Sequence, residues 1–240
     1  MMETTDRYIN VGLSETLLVN TALGLALTGK HVYIYSVAGF VLYRALEQLK
    51  LNINNSTTYG NKQINITFLN GGAGFLYKNT GNGHFLLDDI TLVTKILPNF
   101  NIYIPYDEYT TIRCLNKSNI SLNYIRLCPD NSIKKCKLIS TSNSLTVVTF
   151  GWLVDKINNL NLTVNIYPLV DFYSDIKNIK NPYIAIYDNI NIDLISNNIK
   201  CIKTLNINNI YCNDIFSDSQ QEILTHYGLS NTQLIHFINT

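Results

Sequence analysis

Short apolar runs rich in β-branched and aromatic residues recur along the chain, and stretches with helical spacing separate them. "HVYIYS" (31–36), "INITFLN" (64–70), "NIYIP" (101–105) and a segment at 122–127 read as strands. Between them lie "FVLYRALEQLKL" (40–51), with Phe40, Tyr43, Leu46 and Leu51 available for one face, "LLDDITLVTKIL" (86–97) and the shorter "YDEYTTIRCL". Strand, helix, strand, helix with short connections constrains the fold strongly. Parallel neighbours need a crossover, and crossover helices cover both faces of the sheet.

The polar stretch "CPDNSIKKCK" (128–137), with Pro129, interrupts this series, and a second begins after it. "SLTVVTF" (144–150), "LTVNIY" (162–167), "YIAIYD" (183–188) and "CIKTL" (201–205) read as strands, with a helix from Trp152 and two terminal helices starting near Ser217 and Ser230. The expectation is an α/β protein of two consecutive domains, each a mainly parallel sheet flanked by helices. Residues 1–128 form the first, 129–143 a linker and 144–240 the second. A chain of 240 residues accommodates two such units.

Composition removes several classes of function. Apolar residues make up 46% of the chain, enough for proper cores, and 18 basic against 17 acidic residues leave a formal charge of +1 with no basic block. That is not the footprint of a nucleic-acid binder. No apolar run approaches the roughly 18 to 20 residues of a membrane span. "MMETTDRYIN" has neither a basic stretch nor an apolar core, so no secretory signal is expected. The five cysteines, Cys114, Cys128, Cys136, Cys201 and Cys212, show no C-x-x-C spacing and no metal-ligand pattern. They read as reduced thiols of a cytoplasmic protein, with no metal site. Sequons at Asn65, Asn116 and Asn161 then carry no weight.

One ionisable residue stands out. "RYINVGLSETLLVNTALGLALTG" (7–29) reads as a helix with Ser14 as N-cap and Gly29 as its stop, and Glu15 sits in the first turn of an otherwise apolar segment. An acid there can simply answer the helix dipole; it can also be a working carboxyl. The residues alone leave both open.

Further stretches bear on that choice. "RYINVGLSETLLVNTALGLALTGK" resembles the opening of the pyrimidine-binding domain of transketolases, R-[FY]-I-x-x-G-[IL]-x-E before a helix of small apolar residues. "SVAGFVLYRALEQLK" is similar to the segment that follows in that family. "GNGHFLLDDITLVTKILPNFNIYIPYDEYTT" is similar to the next, where a Gly-rich loop ends in His. "SLTVVTFGWLVDKI" and "IYCNDIFSDSQQEILTHYGLSNTQLIHFI" resemble the start and end of the transketolase C-terminal domain. Each piece is weakly specific; their collinear order is not. The family's first domain, which binds the cofactor diphosphate, has no counterpart in this sequence, which is the layout of the C-terminal subunit of split transketolases.

The resemblance implies thiamine diphosphate as cofactor, with Mg²⁺ held mainly by a separate N-terminal transketolase-like subunit that carries the diphosphate-binding domain. It also implies self-association about a two-fold axis and a sugar substrate. Glu15 matches the glutamate that hydrogen-bonds a ring nitrogen of the aminopyrimidine and activates the cofactor. Phe40 matches an aromatic packed on that ring, Tyr43 lies one helical turn further on, and Val37 stands where the family usually has another Phe. These three are the expected cofactor wall, although Phe40 and Tyr43 also read as plain core. His84 matches a histidine that serves the reacting carbons; with Glu15 it completes the expected catalytic pair. Glu47 and Arg44 read as structural or interface residues.

Three departures bear on the substrate. Gly72 stands where many transketolases have a phosphate-contacting His, Thr80 where they have an Asp that meets substrate hydroxyls, and Ile104 where sugar-phosphate enzymes have an Arg. Their loss points away from an ordinary pentose-phosphate acceptor: either the partner subunit supplies the phosphate contacts, or the acceptor differs, for example a nucleotide-linked or unphosphorylated sugar. Two other readings of the same architecture compete: a non-catalytic dimerisation or regulatory subunit, and the beta subunit of a 2-oxo-acid dehydrogenase.

Overall fold

A computed structural model describes residues 7–56, 64–77, 84, 86–118, 121–128, 145–190, 192–207 and 220–240. Helix α1 (Glu15–Leu27) ends on Thr28 and Gly29, whose φ of +86° is the left-handed conformation that glycine adopts without strain. Ser14 is the N-cap residue, but its side chain makes no capping hydrogen bond. Strand β1 (His31–Val37) runs directly into α2 (Ala38–Arg44). The single helix expected over 40–51 is instead α2 followed by a π-helix, Gln48–Asn54. The wider turn carries Leu49 and Ile53 into the core. Its end is pinned where Asn99 donates its backbone N–H to Asn54 Oδ1 and its side-chain amide to the Asn54 carbonyl.

The first half continues with β2 (Asn65–Gly71), α3 (Asp89–Ile96), β3 (Phe100–Tyr103), α4 (Glu108–Lys117) and β4 (Leu122–Arg126). An Asp107–Thr110 capping box starts α4. All pairings are parallel, in the order β1-β2-β4-β3. The second half has β5 (Thr146–Thr149), α5 (Trp152–Asn158), β6 (Asn165–Pro168), α6 (Phe172–Asn178), β7 (Tyr183–Ile190), α7 (Asp193–Ser196) and β8 (Cys201–Ile207). It ends with α8 (Gln220–His226) and α9 (Asn231–Asn239). Its sheet is also parallel, β6-β5-β7-β8. Helices α6 and α7 are additions to the sequence reading. At 7 and 4 residues they are too short to show helical periodicity. The expected linker, 129–143, lies outside the described residues.

The two sheets share a core. Ile104 and Tyr124 of the first half are buried in one cluster with Val148, Phe150, Leu169 and Phe172 of the second. The β3 edge of the first sheet is closed by the second half, with an antiparallel bridge between Tyr103 and Asp171 and a bond from Ile104 N–H to the Val170 carbonyl at 2.8 Å. The β1 edge is different. Ile34 points into the core, whereas Tyr33 and Tyr35 on the other face are 49% and 67% exposed. Helix α1 buries Val19, Ala22 and Ala26 but leaves Leu17 and Leu27 exposed, as is Leu13 just before it. Parallel sheets are ordinarily covered on both faces, so this margin departs from the expected pattern.

Among the described residues no helix is long and apolar enough to cross a membrane, and no group of three or more His, Cys, Asp or Glu could hold a metal ion. Cys114, Cys128 and Cys201 are free thiols. Burial pushes the Cys114 and Cys128 thiols up to about 12, which keeps them protonated and unreactive. Cys136 and Cys212 lie outside the described residues.

A polar network lies under the start of β1. His31 Nε2 stands 2.9 Å from Thr67 Oγ1, which in turn donates to the Ser118 carbonyl and accepts from Asn123 Nδ2. Burial lowers the His31 pKa below its ordinary 6.5. As pH falls through that value, the unfolded chain takes up a proton that the folded chain resists, so stability declines between 6.5 and the lower folded value. Urea denaturation from about pH 7.5 to pH 5 should show this slope, and His31→Gln should flatten it.

Candidate functional site

The register of the first sheet brings the carboxyl ends of three strands to one level: Val37 of β1 pairs with Gly71 of β2, and Asn70 of β2 with Arg126 of β4. Ligands of open parallel sheets bind outside these ends. Here the expected site residues gather.

Glu15, the first residue of α1, has a side chain only 11% exposed, and its Oε1 accepts a hydrogen bond from Arg44 Nη1 at 3.1 Å. The Arg44 guanidinium also lies over the Phe40 ring, 4.3 Å from its centre. A planar, nitrogen-bearing group is therefore held between a carboxylate and an aromatic face. A flat heteroaromatic ring would find the same two partners. The His84 ring meets Phe40 edge-on at 5.8 Å and is exposed. Glu15, Phe40 and His84, far apart in sequence, thus form one connected patch.

Tyr43 is placed differently from the other wall residues. It is more than half exposed, and its hydroxyl donates to Asp88 Oδ1 at 2.7 Å, tying α2 to the segment that follows His84. Val37 lines the other side with Tyr77, which the sequence reading did not single out. A Cβ added at Gly72 (φ +75°) would stand 2.7 Å from the Tyr77 ring and 3.0 Å from Val37 Cγ1. Tyr77 therefore fills the space that a side chain at 72 would take. Its aromatic character inside a Gly-rich stretch was the available signal. Ile104 is fully buried in the core between the sheets and offers no polar group to a ligand. Thr80 lies outside the described residues.

Behind this patch is a charge cluster that the sequence reading missed. Arg126, at the end of β4, places Nε 3.2 Å from Asp89 Oδ2 and donates from Nη1 to Asp188 Oδ1 at 2.9 Å. Asp89 also accepts from the Tyr124 hydroxyl at 2.8 Å and from Asn189 Nδ2 at 2.8 Å, while Trp152 Nε1 donates to Asp188. Arg126, Asp89 and Asp188 are all buried. Burial pushes the Asp89 carboxyl above its ordinary range, against the opposing pull of Arg126. Burial works against the Arg126 charge, but Asp188 and Asp89 outweigh it and raise its pKa. Charged residues at the ends of apolar runs, "NYIR", "IYD" and "LLDD", were the trace of this cluster in the sequence.

No protein-family model matches the chain. Among curated proteins it is similar to one of the subunits of the apulose-4-phosphate transketolase of Actinobacillus succinogenes, 33% identical over 123 residues, 51% of this chain and 36% of that protein. A provisionally named transketolase C-terminal section from Methanocaldococcus jannaschii is 30% identical over 109 residues, 45% of this chain and 32% of that one. The matched stretch spans about a third of the length of these relatives. Among solved structures, a split-gene transketolase described as an inactive β4 tetramer superposes with a TM-score of 0.73 at 18% identity, covering 98% of this chain and 83% of that one. The fold is that of a transketolase, two consecutive α/β units with parallel sheets. The chain is similar, in sequence and in fold, to the separate C-terminal subunits of split transketolases.

The backbone at Gly74 is pressed against the charge cluster. A Cβ there would lie 2.2 Å from Asp188 Oδ2 and 2.4 Å from Arg126 Nη2, at a φ of +63°. Gly74→Ala should therefore cost about 3 kcal/mol of unfolding free energy, from combined overpacking and left-handed strain. Chemical denaturation of the purified chain checks this.

Proposed function

We propose that this chain is the C-terminal, catalytic subunit of a thiamine-diphosphate-dependent transketolase-like enzyme that transfers a two-carbon ketol unit between sugars. The observation that carries the reading is the Glu15–Arg44–Phe40 arrangement beside His84. A carboxylate and an aromatic face already hold a flat N–H-bearing group, which is what the cofactor's aminopyrimidine requires, so the residues fit the group. When bound, thiamine diphosphate supplies the carbon nucleophile and electron sink needed to break a ketose C–C bond. Glu15 would hydrogen-bond a nitrogen of its ring in place of Arg44, Phe40 would pack on the ring face, and Val37, with Tyr43 nearby, would complete the wall. His84 exchanges protons with substrate oxygens as the bond breaks and forms.

The diphosphate and Mg²⁺ are held mainly by a separate N-terminal subunit. The exposed margin of Leu13, Leu17, Leu27, Tyr33 and Tyr35 supports a two-fold self-association that covers α1 and the β1 edge. That a solved β chain of a split transketolase is described as an inactive tetramer supports the expectation that a lone copy of this chain is inactive. The acceptor differs from an ordinary pentose phosphate. Tyr77 occupies the space at Gly72, and Ile104 is buried, so neither position offers a phosphate a partner. A nucleotide-linked or unphosphorylated sugar suits this wall.

Two experiments test the reading. Co-purification with the native N-terminal subunit should yield a complex that binds thiamine diphosphate and transfers ketol units. Glu15→Gln should lower turnover by about 10²- to 10⁴-fold while leaving the assembly intact, and normal turnover in that variant refutes the assignment. In the same complex, unphosphorylated and nucleotide-linked acceptors should outpace ribose 5-phosphate and phosphorylated branched sugars. Equal or faster turnover of the phosphorylated acceptors overturns the acceptor proposal alone.

A further inference from the structure

The Arg126 cluster joins the two halves of the chain, and no step of the proposed chemistry uses it. Arg126, Asp89 and Tyr124 belong to the first half; Asp188, Asn189 and Trp152 belong to the second. We infer that the cluster is a positioning device through which the second half sets the placement of His84. This inference rests on the reading of His84 as a working residue.

Residues 86–89, which follow His84 in the sequence, are tethered at both ends and between. Leu86 accepts a hydrogen bond from Gly74 N–H at 2.7 Å, and Asp88 accepts from the Tyr43 hydroxyl. Asp89 receives Tyr124 and Asn189 at 2.8 Å each and pairs with Arg126. Asn189 is itself oriented by Thr91, whose hydroxyl donates to its Oδ1 at 3.0 Å. Gly74, on the opposite strand of the loop, lies directly on the Arg126–Asp188 pair, leaving no room for a Cβ. Gly74 and Asp89, which flank His84 in the sequence, therefore both meet one buried ion cluster, and half of that cluster comes from the second domain.

The energetics favour orientation over stability as its role. Two carboxylates and one guanidinium taken out of water contribute little net stability compared with apolar residues of the same volume. The apolar contacts needed to hold the halves together are already supplied by Ile104, Phe150, Leu169 and Phe172. Those contacts are non-directional. The cluster adds fixed donor–acceptor geometry at the level of the strand ends, and with it a defined place for His84 against Phe40. Asp188, Asn189 and Trp152 are thus positioning residues that act on the first half from the second.

The test uses the full chain with isotope-labelled histidine, which gives resolved NMR ring signals for its four histidines; His84→Gln assigns the one of interest. Asp188→Asn and Asn189→Ala should each shift and broaden the His84 ring signals while His226 and His236 stay in place. Ile157→Ala, a core truncation in the second half, lowers stability but should leave the His84 signals unmoved. The inference is overturned if the cluster variants leave His84 at its wild-type shifts, or if Ile157→Ala moves it as much. Should Asp188→Asn fail to fold, Asn189→Ala decides, because it removes a neutral group and strands no buried charge. In the complex loaded with thiamine diphosphate, Asn189→Ala should lower kcat by about 10- to 100-fold with the cofactor KM unchanged. The NMR readout needs neither cofactor nor partner, so a complex that transfers no ketol units would refute the proposed function and leave this inference standing or falling by itself.

Discussion

A single buried guanidinium between two buried carboxylates sets the relation between the halves of this chain. Arg126 reaches Asp89 on its own side and Asp188 on the other, and each carboxylate is further bonded by Tyr124, Asn189 or Trp152. Removing one partner from such an arrangement strands a charge without water, at a cost of about 3–5 kcal/mol. The halves are therefore not free to slide over their shared apolar core. The described backbone at the strand ends is held with them: Asp89 belongs to the cluster, Gly74 packs against it, and Gly74 N–H is bonded to the Leu86 carbonyl.

In front of the cluster, the candidate site is made from residues that α/β topology brings together at the carboxyl edge of the first sheet. Glu15 arrives from the start of α1, Val37 and Phe40 from the β1–α2 junction, and His84 from the loop after β2. Arg44 links the start of α1 to α2 by pairing with Glu15 and lying on Phe40. The wall on the Val37 side has an aromatic ring after all, supplied by Tyr77, with glycine at 72 because nothing larger fits beneath that ring.

The exposed apolar margin belongs to the same logic. A helix that leaves Leu17 and Leu27 exposed and an edge strand with two exposed tyrosines are poorly suited to water. Glu15 is the first residue of α1, so a surface that covers the start of that helix would also lie beside the candidate site.

Much of the architecture could be read from the sequence by itself. Strand positions and the parallel, two-unit character followed from local patterns of apolar residues, which act over a few positions and survive in one dimension. The collinear motifs pointed to Glu15, Phe40 and His84 for the same reason. Short elements escaped: α6 and α7 have too few turns for periodicity, and the π-helix after α2 has no spacing that distinguishes it from an ordinary helix. The Arg126 cluster and the Tyr77 wall left only traces, charged residues at the ends of apolar runs and an aromatic in a Gly-rich stretch, with nothing to say what they meet. They join positions up to a hundred residues apart, Asp89 with Asn189 and Arg126 with Asp188, and such pairings depend on how the sheets pack. Local sequence determined which elements form and which residues can do chemistry. Tertiary structure alone decided which of them meet, because a buried charge is satisfied only by whichever donor the fold delivers to it.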